Sequence, residues 1–228
     1  MKKALILLSG GMDSAVCLYE AAAAHGRKAV CALFFDWGQR TIVEERAACA
    51  GLCLAAGIDP PVEVRLDFPY TGLLTDTDTA VPSGRTPEEI KREGVAPTFF
   101  PGRNMVMLSY AFGMAAHQSI GHVYFGPNAE DEAGYPDCRR EFVIRFAEAG
   151  RAGTDSEIQL ASPLLEMSKE EIVKRGDALG VPWDLTFSCY SPIDGAHCGS
   201  CDACMLRKRA FIGARRSADP HLLPPDPV

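Results

Sequence analysis

The chain alternates short apolar runs with longer segments of helix-forming composition. Residues 4–8 form an uninterrupted apolar run bounded by Ser-Gly-Gly, which predicts a buried strand. Residues 13–25 follow as an Ala-rich segment that favours a helix. Because the strand-then-helix order repeats, we expect an α/β fold with a doubly wound parallel sheet. Further strands are predicted at residues 28–35, 62–66, 122–125 and 158–160, and further helices at residues 41–57, 104–119, 141–149 and 168–179.

Two helix starts carry the pattern of a capping box, in which a hydroxyl residue precedes a glutamate by three positions. Thr41 with Glu44, and Ser168 with Glu171, both fit this pattern. Between the predicted elements, residues 68–100 form a long polar interruption that contains several prolines. Interruptions of this length are usually functional or mobile. We interpret this one either as a substrate-side lid or as a decorative insertion.

The turn after the first strand has the sequence S-G-G-M-D-S (residues 9–14). Adjacent glycines allow a sharp turn and leave no Cβ between the backbone amides and a ligand. The helix start adds free N–H groups and a partial positive charge, and Ser9 and Ser14 add hydroxyl donors. The stretch predicts a phosphate cradle at the carboxyl end of the strand, although Gly-Gly also occurs in ordinary strand-to-helix turns. It fits neither the Walker A pattern nor G-x-G-x-x-G.

Composition and charge narrow the class of protein. A length of 228 residues suits one domain with a small appendage. No apolar run is long enough for a membrane span, and the N-terminus lacks the pattern of a cleaved signal. We therefore expect a cytoplasmic protein without a membrane partner. The net charge of −7 argues against nucleic acid as a partner, apart from a local basic run at residues 207–209.

Four of the nine cysteines have the spacing C-x8-C-x2-C-x2-C, which is typical of a metal site. Four thiolates suit one structural Zn²⁺ per chain; an iron–sulfur cluster is the alternative, and His197 is a possible substitute ligand. The basic residues 207–209 would offset the negative charge of such a site. We divide the chain into an α/β domain (1–186), a zinc-binding appendage (187–216) and an unstructured Pro-rich tail (217–228). The expected ligands are Cys189, Cys198, Cys201 and Cys204.

Three further stretches are P-G-R-N (residues 101–104), G-Y-P-D-C-R (residues 134–139) and S-C-Y (residues 188–190). With S-G-G-M-D-S, which looks like the PP-loop of ATP pyrophosphatases, and the four cysteines, they closely resemble the 7-cyano-7-deazaguanine synthase (QueC) family. The resemblance implies an adenine nucleotide alpha hydrolase-like fold. It also implies a ligase of queuosine biosynthesis that uses ATP and ammonia to convert 7-carboxy-7-deazaguanine to the nitrile, through an adenylated acid and an adenylated amide. A homodimer is expected on the same ground.

The resemblance assigns the turn after the first strand to ATP. Its backbone amides and serines are expected to hold the departing pyrophosphate as negative charge develops. Asp13 is expected either to assist Mg²⁺ or to favour the helix start, and Lys169 either to reach a phosphate or to be a solvated surface lysine. The nucleotide-binding set is therefore Leu8, Ser9, Gly10, Gly11, Met12, Asp13 and Ser14, and the catalytic set is Ser9, Asp13, Ser14, Arg103 and Lys169.

Substrate contacts are expected from the later motifs. Arg103 and Arg139 suit the substrate carboxylate or the phosphates, because a guanidinium binds such anions bidentately. Asp131 or Asp137 would accept the N1–H and the exocyclic amine of the deazaguanine. Tyr135 would stack on the base, although Gly-Tyr-Pro is also an ordinary rigid turn.

Two positions depart from the family pattern. The family usually has Tyr-Gly-Gln-Arg-His after the second strand, where this chain has W-G-Q-R-T (residues 37–41). Trp37 is a mild change, whereas Thr41 removes a titratable donor from that position. Two other functions remain open. One is a paralogue that adenylates a different carboxylate or a tRNA base, and the other is a zinc-bearing binding module without turnover.

Overall fold

The computed structural model describes residues 1–92, 94–215 and 219–222. Within these residues the chain folds around a five-stranded sheet in the order β3-β2-β1-β4-β5, and every pairing is parallel. The central strand β1 pairs with β2 on one side and β4 on the other, which confirms the predicted doubly wound fold. The strands are β1 (Ala4–Leu7), β2 (Val30–Asp36), β3 (Val62–Arg65), β4 (His122–Tyr124) and β5 (Gln159–Ala161).

The helices of the described residues are α1 (Met12–His25), α2 (Ile42–Ala56), α3 (Pro87–Arg92), α4 (Arg103–His117), α5 (Arg140–Thr154), α6 (Lys169–Leu179) and α7 (Asp202–Gly213). Ala4 and Ile6 of β1 pack with α1, α2, α6 and α7, whereas Leu5 packs with α4 and α5 on the other face. Both faces of β1 are therefore buried, which explains its uninterrupted apolar run. None of these helices has both the length and the apolar character that crossing a membrane requires.

The two predicted capping boxes have different outcomes. At α6 the Ser168 and Glu171 side chains each accept from the other residue's backbone N–H, so that capping box is confirmed. At α2 the prediction is wrong, because Thr41 has φ −106° and ψ 20° rather than the extended backbone of a capping residue. Its hydroxyl donates instead to Glu45 Oε1 at 2.6 Å. The cause is a tight turn in which the Gln39 carbonyl accepts from the Ile42 N–H at 3.1 Å.

The described residues of the 68–100 segment, 68–92 and 94–100, are mostly irregular and lie against the cysteine-rich part of the chain. The Gly84 N–H donates to the Ser200 carbonyl at 2.8 Å, and Arg85 forms an ion pair with Asp202. Within this segment the short helix α3 was not predicted, and neither was α7 in the cysteine-rich part. The segment and the cysteines therefore support one another.

Residues 219–222 fold back onto the protein, so the prediction of an unstructured tail is wrong for this part. The Asp219 carboxylate is buried and lies 2.8 Å from the Nε of the equally buried Arg207. Arg207 also donates to Thr186 Oγ1 at 2.8 Å. Burial of a charged pair requires such matched partners. The other tail residues, 217–218 and 223–228, lie outside the described residues, and the domain boundary at residue 186 stays a prediction.

Gly10 and Gly38 offer a matched test of how tightly the turn after β1 is packed. Both have a φ of +81°, but a Cβ on Gly10 would lie 2.8 Å from the Ala48 Cβ, whereas one on Gly38 would meet no atom within 4 Å. Gly38→Ala should lower the free energy of unfolding by the backbone strain alone, about 1–2 kcal/mol. Gly10→Ala should cost about 1–3 kcal/mol more, because α2 must move. Urea unfolding measures both losses, and equal losses would contradict this close packing.

Candidate active site

The turn after β1 gathers hydrogen-bond donors at the carboxyl edge of the sheet. α1 begins directly after the two glycines, so the N–H groups of its first turn have no partner inside the helix. Ser9 Oγ donates to Ser14 Oγ at 3.1 Å, and Ser14 Oγ donates to the Gly11 carbonyl at 3.1 Å. The Gly10 carbonyl accepts from the Phe187 N–H at 2.8 Å. The segment that leads to the cysteines therefore braces this turn.

Beside the turn, three charged side chains from distant parts of the sequence meet. Lys169 Nζ lies 2.9 Å from Asp13 Oδ2 and 3.7 Å from Asp131 Oδ1. Asn128 Nδ2 donates to both carboxylates, at 3.3 Å to Asp13 and 2.6 Å to Asp131. Lys169 is only 9% exposed, so its interpretation as a solvated surface lysine is wrong.

One carboxylate oxygen of Asp13, Oδ1, is buried and has no hydrogen-bond partner among the described residues. Buried polar atoms normally have a partner, and carboxylate oxygens are the ligands that Mg²⁺ prefers. The donor set at this point therefore fits a magnesium ion beside a phosphate.

Burial and mutual charge set the protonation of this cluster. Burial raises the pKa of Asp131 to about 6; Lys169 opposes this rise and Asp13 reinforces it. Burial alone would lower the pKa of Lys169, but Asp13 and Asp131 outweigh it and hold that pKa above its usual value. Lys169 therefore remains a cation at neutral pH, as binding of a phosphate requires.

A cavity of about 330 Å³ lies at the carboxyl ends of the central strands. Its wall combines the turn after β1, the loop after β2, the start of α4 and the segment after β4, and its volume is at the lower end for ligand sites. Ile90 and Lys91 of α3 also line it, which agrees with a substrate-side position of the 68–100 segment. The predicted site residues in the wall are Leu8, Ser9, Gly11, Met12, Asp13, Ser14, Arg103, Asp131, Tyr135, Lys169 and Cys189.

Arg103, at the start of α4, has its guanidinium over an indole ring. Its Cζ lies 5.0 Å from the centroid of the Trp37 ring, and that ring makes an edge contact with Phe100 at 5.1 Å between centroids. The Arg103 Nε is buried and has no hydrogen-bond partner in the described part of the chain. A guanidinium held in this way fits an anionic ligand group.

Tyr135 connects the G-Y-P-D-C-R motif to the cysteine-rich segment. Its hydroxyl lies 2.7 Å from Thr98 Oγ1 and is also hydrogen-bonded to the Tyr190 side chain. The Tyr190 N–H in turn donates to Cys201 Sγ at 3.4 Å. Burial raises the pKa of Tyr135, so its hydroxyl stays protonated. The cysteine site therefore helps to position one wall of the cavity.

Two predicted substrate residues do not line the cavity. Arg139 is exposed, and its Nε donates to the Glu132 carbonyl at 3.1 Å. Asp137 is buried behind the wall; burial raises its pKa, while Arg103 and hydrogen bonds from Asn104 lower it. Asp137 therefore supports the start of α4 rather than facing the cavity.

Sequence reasoning missed two polar residues at this site. Asn128 directly follows the strand-to-loop junction after β4, at the sheet edge where ligands bind in such folds, so its position carried a usable signal. Glu45 lines the cavity and accepts from Thr41 Oγ1 and Gln39 Nε2, at 2.6 and 2.9 Å. Glutamate in the first turn of a helix is ordinary, so the sequence held no signal for Glu45.

The four C-terminal cysteines converge on one point. Their sulfurs all lie within 4.8 Å of one another, at 3.9 Å for Cys189 with Cys201 and for Cys198 with Cys204. Four sulfurs about 2.3 Å from one tetrahedral Zn²⁺ are about 3.8 Å apart, whereas an iron–sulfur cluster spreads its thiolates around a larger core. The cluster can hold a metal, and its spacing fits a single ion.

The surroundings of the sulfurs differ from expectation. His197 Nε2 accepts from the Ser188 N–H at 3.0 Å and so has another role. Arg207 and Arg209 pair with carboxylates elsewhere rather than offsetting the sulfurs. Backbone N–H groups instead donate to the sulfurs at 3.3–3.4 Å. These bonds favour the thiolate form that a metal requires.

The raised pKa of Asp131 predicts a pH-dependent difference in stability. An unfolded aspartate ionises at about pH 4, and the folded one at about pH 6, so the folded protein binds more protons between these values. Through this group the free energy of unfolding falls as the pH rises. Asp131→Asn lacks this group. The free energy of unfolding of the variant, taken relative to wild type at the same pH, should therefore rise by about 1–3 kcal/mol between pH 4 and pH 7. Urea unfolding at both pH values measures this gain, and a constant difference would contradict it.

A solved structure shares this fold. It is the U34-tRNA thiolase NcsA from Methanococcus maripaludis with its 4Fe-4S cluster, and the similarity has a TM-score of 0.50. Sequence identity is 15%, over 94% of this chain and 70% of that chain. At this level the similarity concerns the fold alone.

The relatives found by sequence have a much higher identity to this chain than that structure has. A 7-cyano-7-deazaguanine synthase from Leptospira interrogans is 40% identical over 215 residues, which cover 92% of this chain and 86% of that protein. One from Anaeromyxobacter dehalogenans is 42% identical over 219 residues, with 93% and 92% covered. The model of the family described as queuosine biosynthesis protein QueC matches residues 3–215. The chain therefore belongs to the QueC family.

Proposed function

We propose that the protein is a ligase of queuosine biosynthesis that converts 7-carboxy-7-deazaguanine and ammonia to 7-cyano-7-deazaguanine with ATP. Its relatives bear the name of this activity. The observation that carries the proposal is that one cavity joins the turn after β1 to Arg103 and Tyr135. A nucleotide phosphate and an anionic planar substrate would meet there.

The chemistry explains the need for ATP, because hydroxide is a poor leaving group. A substrate carboxylate oxygen attacks the α-phosphorus, and pyrophosphate leaves. Ammonia adds to the carbonyl carbon of the acyl adenylate, the bond to AMP breaks, and the amide forms. The amide oxygen then attacks the α-phosphorus of a second ATP. Loss of AMP and of the two N–H protons leaves the nitrile.

The turn after β1 would hold the pyrophosphate that leaves. The N–H groups at the start of α1 and the hydroxyls of Ser9 and Ser14 stabilise negative charge as it develops. Lys169, buried beside Asp13 and charged at neutral pH, adds a cation. A Mg²⁺ ion held by Asp13 would supply Lewis-acid stabilisation of the phosphate oxygens.

Arg103 is the proposed partner of the substrate carboxylate, because its buried Nε has an unused N–H. Asp131 and Tyr135 are the proposed contacts to the deazaguanine, since both line the cavity. Asp137 and Arg139 are left out of this proposal because they lie outside the cavity wall.

We infer that the cysteine cluster holds one structural Zn²⁺, which would fix Tyr190 and, through the preceding residues, Phe187 against the turn after β1. The hydrogen bonds of these two residues support this role. ATP, ammonia and the acid are the inferred partners. The homodimer, the cytoplasmic location and the absence of a nucleic acid partner stay predictions from the sequence.

The test of this function is incubation of the full-length protein with ATP, ammonium and 7-carboxy-7-deazaguanine, followed by mass spectrometry. We expect the amide first and the nitrile later, with AMP and pyrophosphate as the nucleotide products. Arg103→Lys should lower kcat/KM about 10²-fold or more, because it loses bidentate binding of the acid. No amide or nitrile beside an active control enzyme would contradict the proposal.

Elemental analysis should find about one zinc per chain. Cys201→Ser should lose the metal and unfold at a lower temperature, because structural zinc contributes on the order of 10 kcal/mol to local folding. Cys31→Ser is the matched control, since Cys31 lies on β2, away from the cluster. It should keep its zinc. Iron with visible absorbance in place of zinc would overturn this assignment.

A further inference from the structure

We propose that Glu45 binds the ammonium ion that supplies the nitrogen and accepts a proton from it. Glu45 would then be a catalytic residue, at a site for a small cation in the wall of the cavity. The inference rests on the proposed function, because it identifies the group that prepares the nucleophile of that reaction.

Glu45 lies where α2 packs on the turn after β1. A Cβ on Gly10 would come within 3.1 Å of the Glu45 carbonyl oxygen, and the Glu45 side chain lines the same cavity as Ser9 and Arg103. In the part of the chain that the structure describes, Glu45 forms no ion pair. The Arg103 guanidinium acts on Glu45 only from beyond ion-pair distance, so this carboxylate in the cavity wall has no cation in direct contact and suits a small cationic ligand.

Neutral donors fix the carboxylate but do not saturate it. Thr41 Oγ1 donates to Oε1 at 2.6 Å and Gln39 Nε2 to Oε2 at 2.9 Å. The buried Gln39 amide is itself locked, because it also donates to the Phe35 carbonyl at 3.0 Å and accepts from the Trp37 N–H at 2.9 Å. A carboxylate has about four acceptor positions, so about two remain for ammonium N–H groups.

The reaction requires such a group because ammonia is mostly ammonium at neutral pH, and ammonium has no lone pair. One ammonium proton passes to the Glu45 carboxylate, and the freed lone pair forms the C–N bond. The bond between the carbonyl carbon and the AMP oxygen then breaks, and AMP leaves with the bonding electrons. A second proton passes to water as the amide forms.

The surroundings of Glu45 favour this role. Burial raises the pKa of Glu45, which makes its carboxylate a stronger base, while hydrogen bonds from Thr41 and Gln39 lower that pKa. Arg103 on α4 also lowers the pKa, Glu44 on the same helix raises it, and the Cys49 thiol lies near. Neutral donors, rather than a lysine as at Asp13, therefore hold the Glu45 carboxylate in place.

The test compares ammonium with hydroxylamine, which is already neutral at pH 7 and needs no base to attack the adenylate. Glu45→Gln should lower the ammonium-dependent kcat/KM by about 10²-fold or more and raise the KM for ammonium. With hydroxylamine, Glu45→Gln should form the hydroxamate at a rate within about threefold of the wild-type rate, because the variant loses only the transfer of a proton from ammonium. Raising the pH should recover part of the ammonium reaction.

Glu157→Gln is the matched control, because Glu157 is exposed and precedes β5 at the opposite edge of the sheet. It should leave both reactions unchanged. Glu45→Asp should recover part of the ammonium reaction if the variant folds, as its unfolding curve will show. Equal losses with both nucleophiles in Glu45→Gln would overturn the role of Glu45 while leaving the ligase activity intact. No product with either nucleophile in the wild type would instead overturn the proposed function.

Discussion

The close contact between Gly10 and α2 fixes the position of the turn after β1. Gly10 has a left-handed backbone and leaves room for only a hydrogen atom beside Ala48. The turn therefore presses against α2, and its carbonyl is held from the other side by the Phe187 N–H. With both sides fixed, the start of α1 presents its free N–H groups to the cavity without further adjustment. Preorganised donors of this kind stabilise charge at little cost in reorganisation.

The rest of the site depends on segments that reach this turn from far along the chain. Lys169 comes from α6 and Asp131 from the segment after β4, and they meet Asp13 at the start of α1. The cysteine-rich segment supplies Phe187 and Tyr190, which touch the turn and Tyr135 respectively. A metal at the cysteines would thus stabilise the part of the cavity wall that contains Cys189.

Much of the fold and of the candidate site could be predicted from the sequence, because local patterns encode them. The apolar run of β1, the S-G-G-M-D-S turn and the spacing of the cysteines each depend on neighbouring residues. Contacts between residues that are far apart in the sequence could not be predicted in this way. Residues 13 and 169 are paired by the packing of α6 on α1, and the orientation of Asp137 and Arg139 follows from a short turn that points one inward and the other to solvent. Glu45 was missed because its role depends on the loop of residues 37–41 rather than on its helix.

In the proposed reaction, an oxygen of the substrate acid attacks the α-phosphorus of ATP at the turn after β1. The most direct measurement uses 7-carboxy-7-deazaguanine labelled with ¹⁸O in both carboxyl oxygens, with ATP and ammonium, and mass spectrometry of the AMP. The account predicts two AMP for each nitrile, each carrying one ¹⁸O atom in its phosphate. Unlabelled AMP, or ADP in its place, would contradict it.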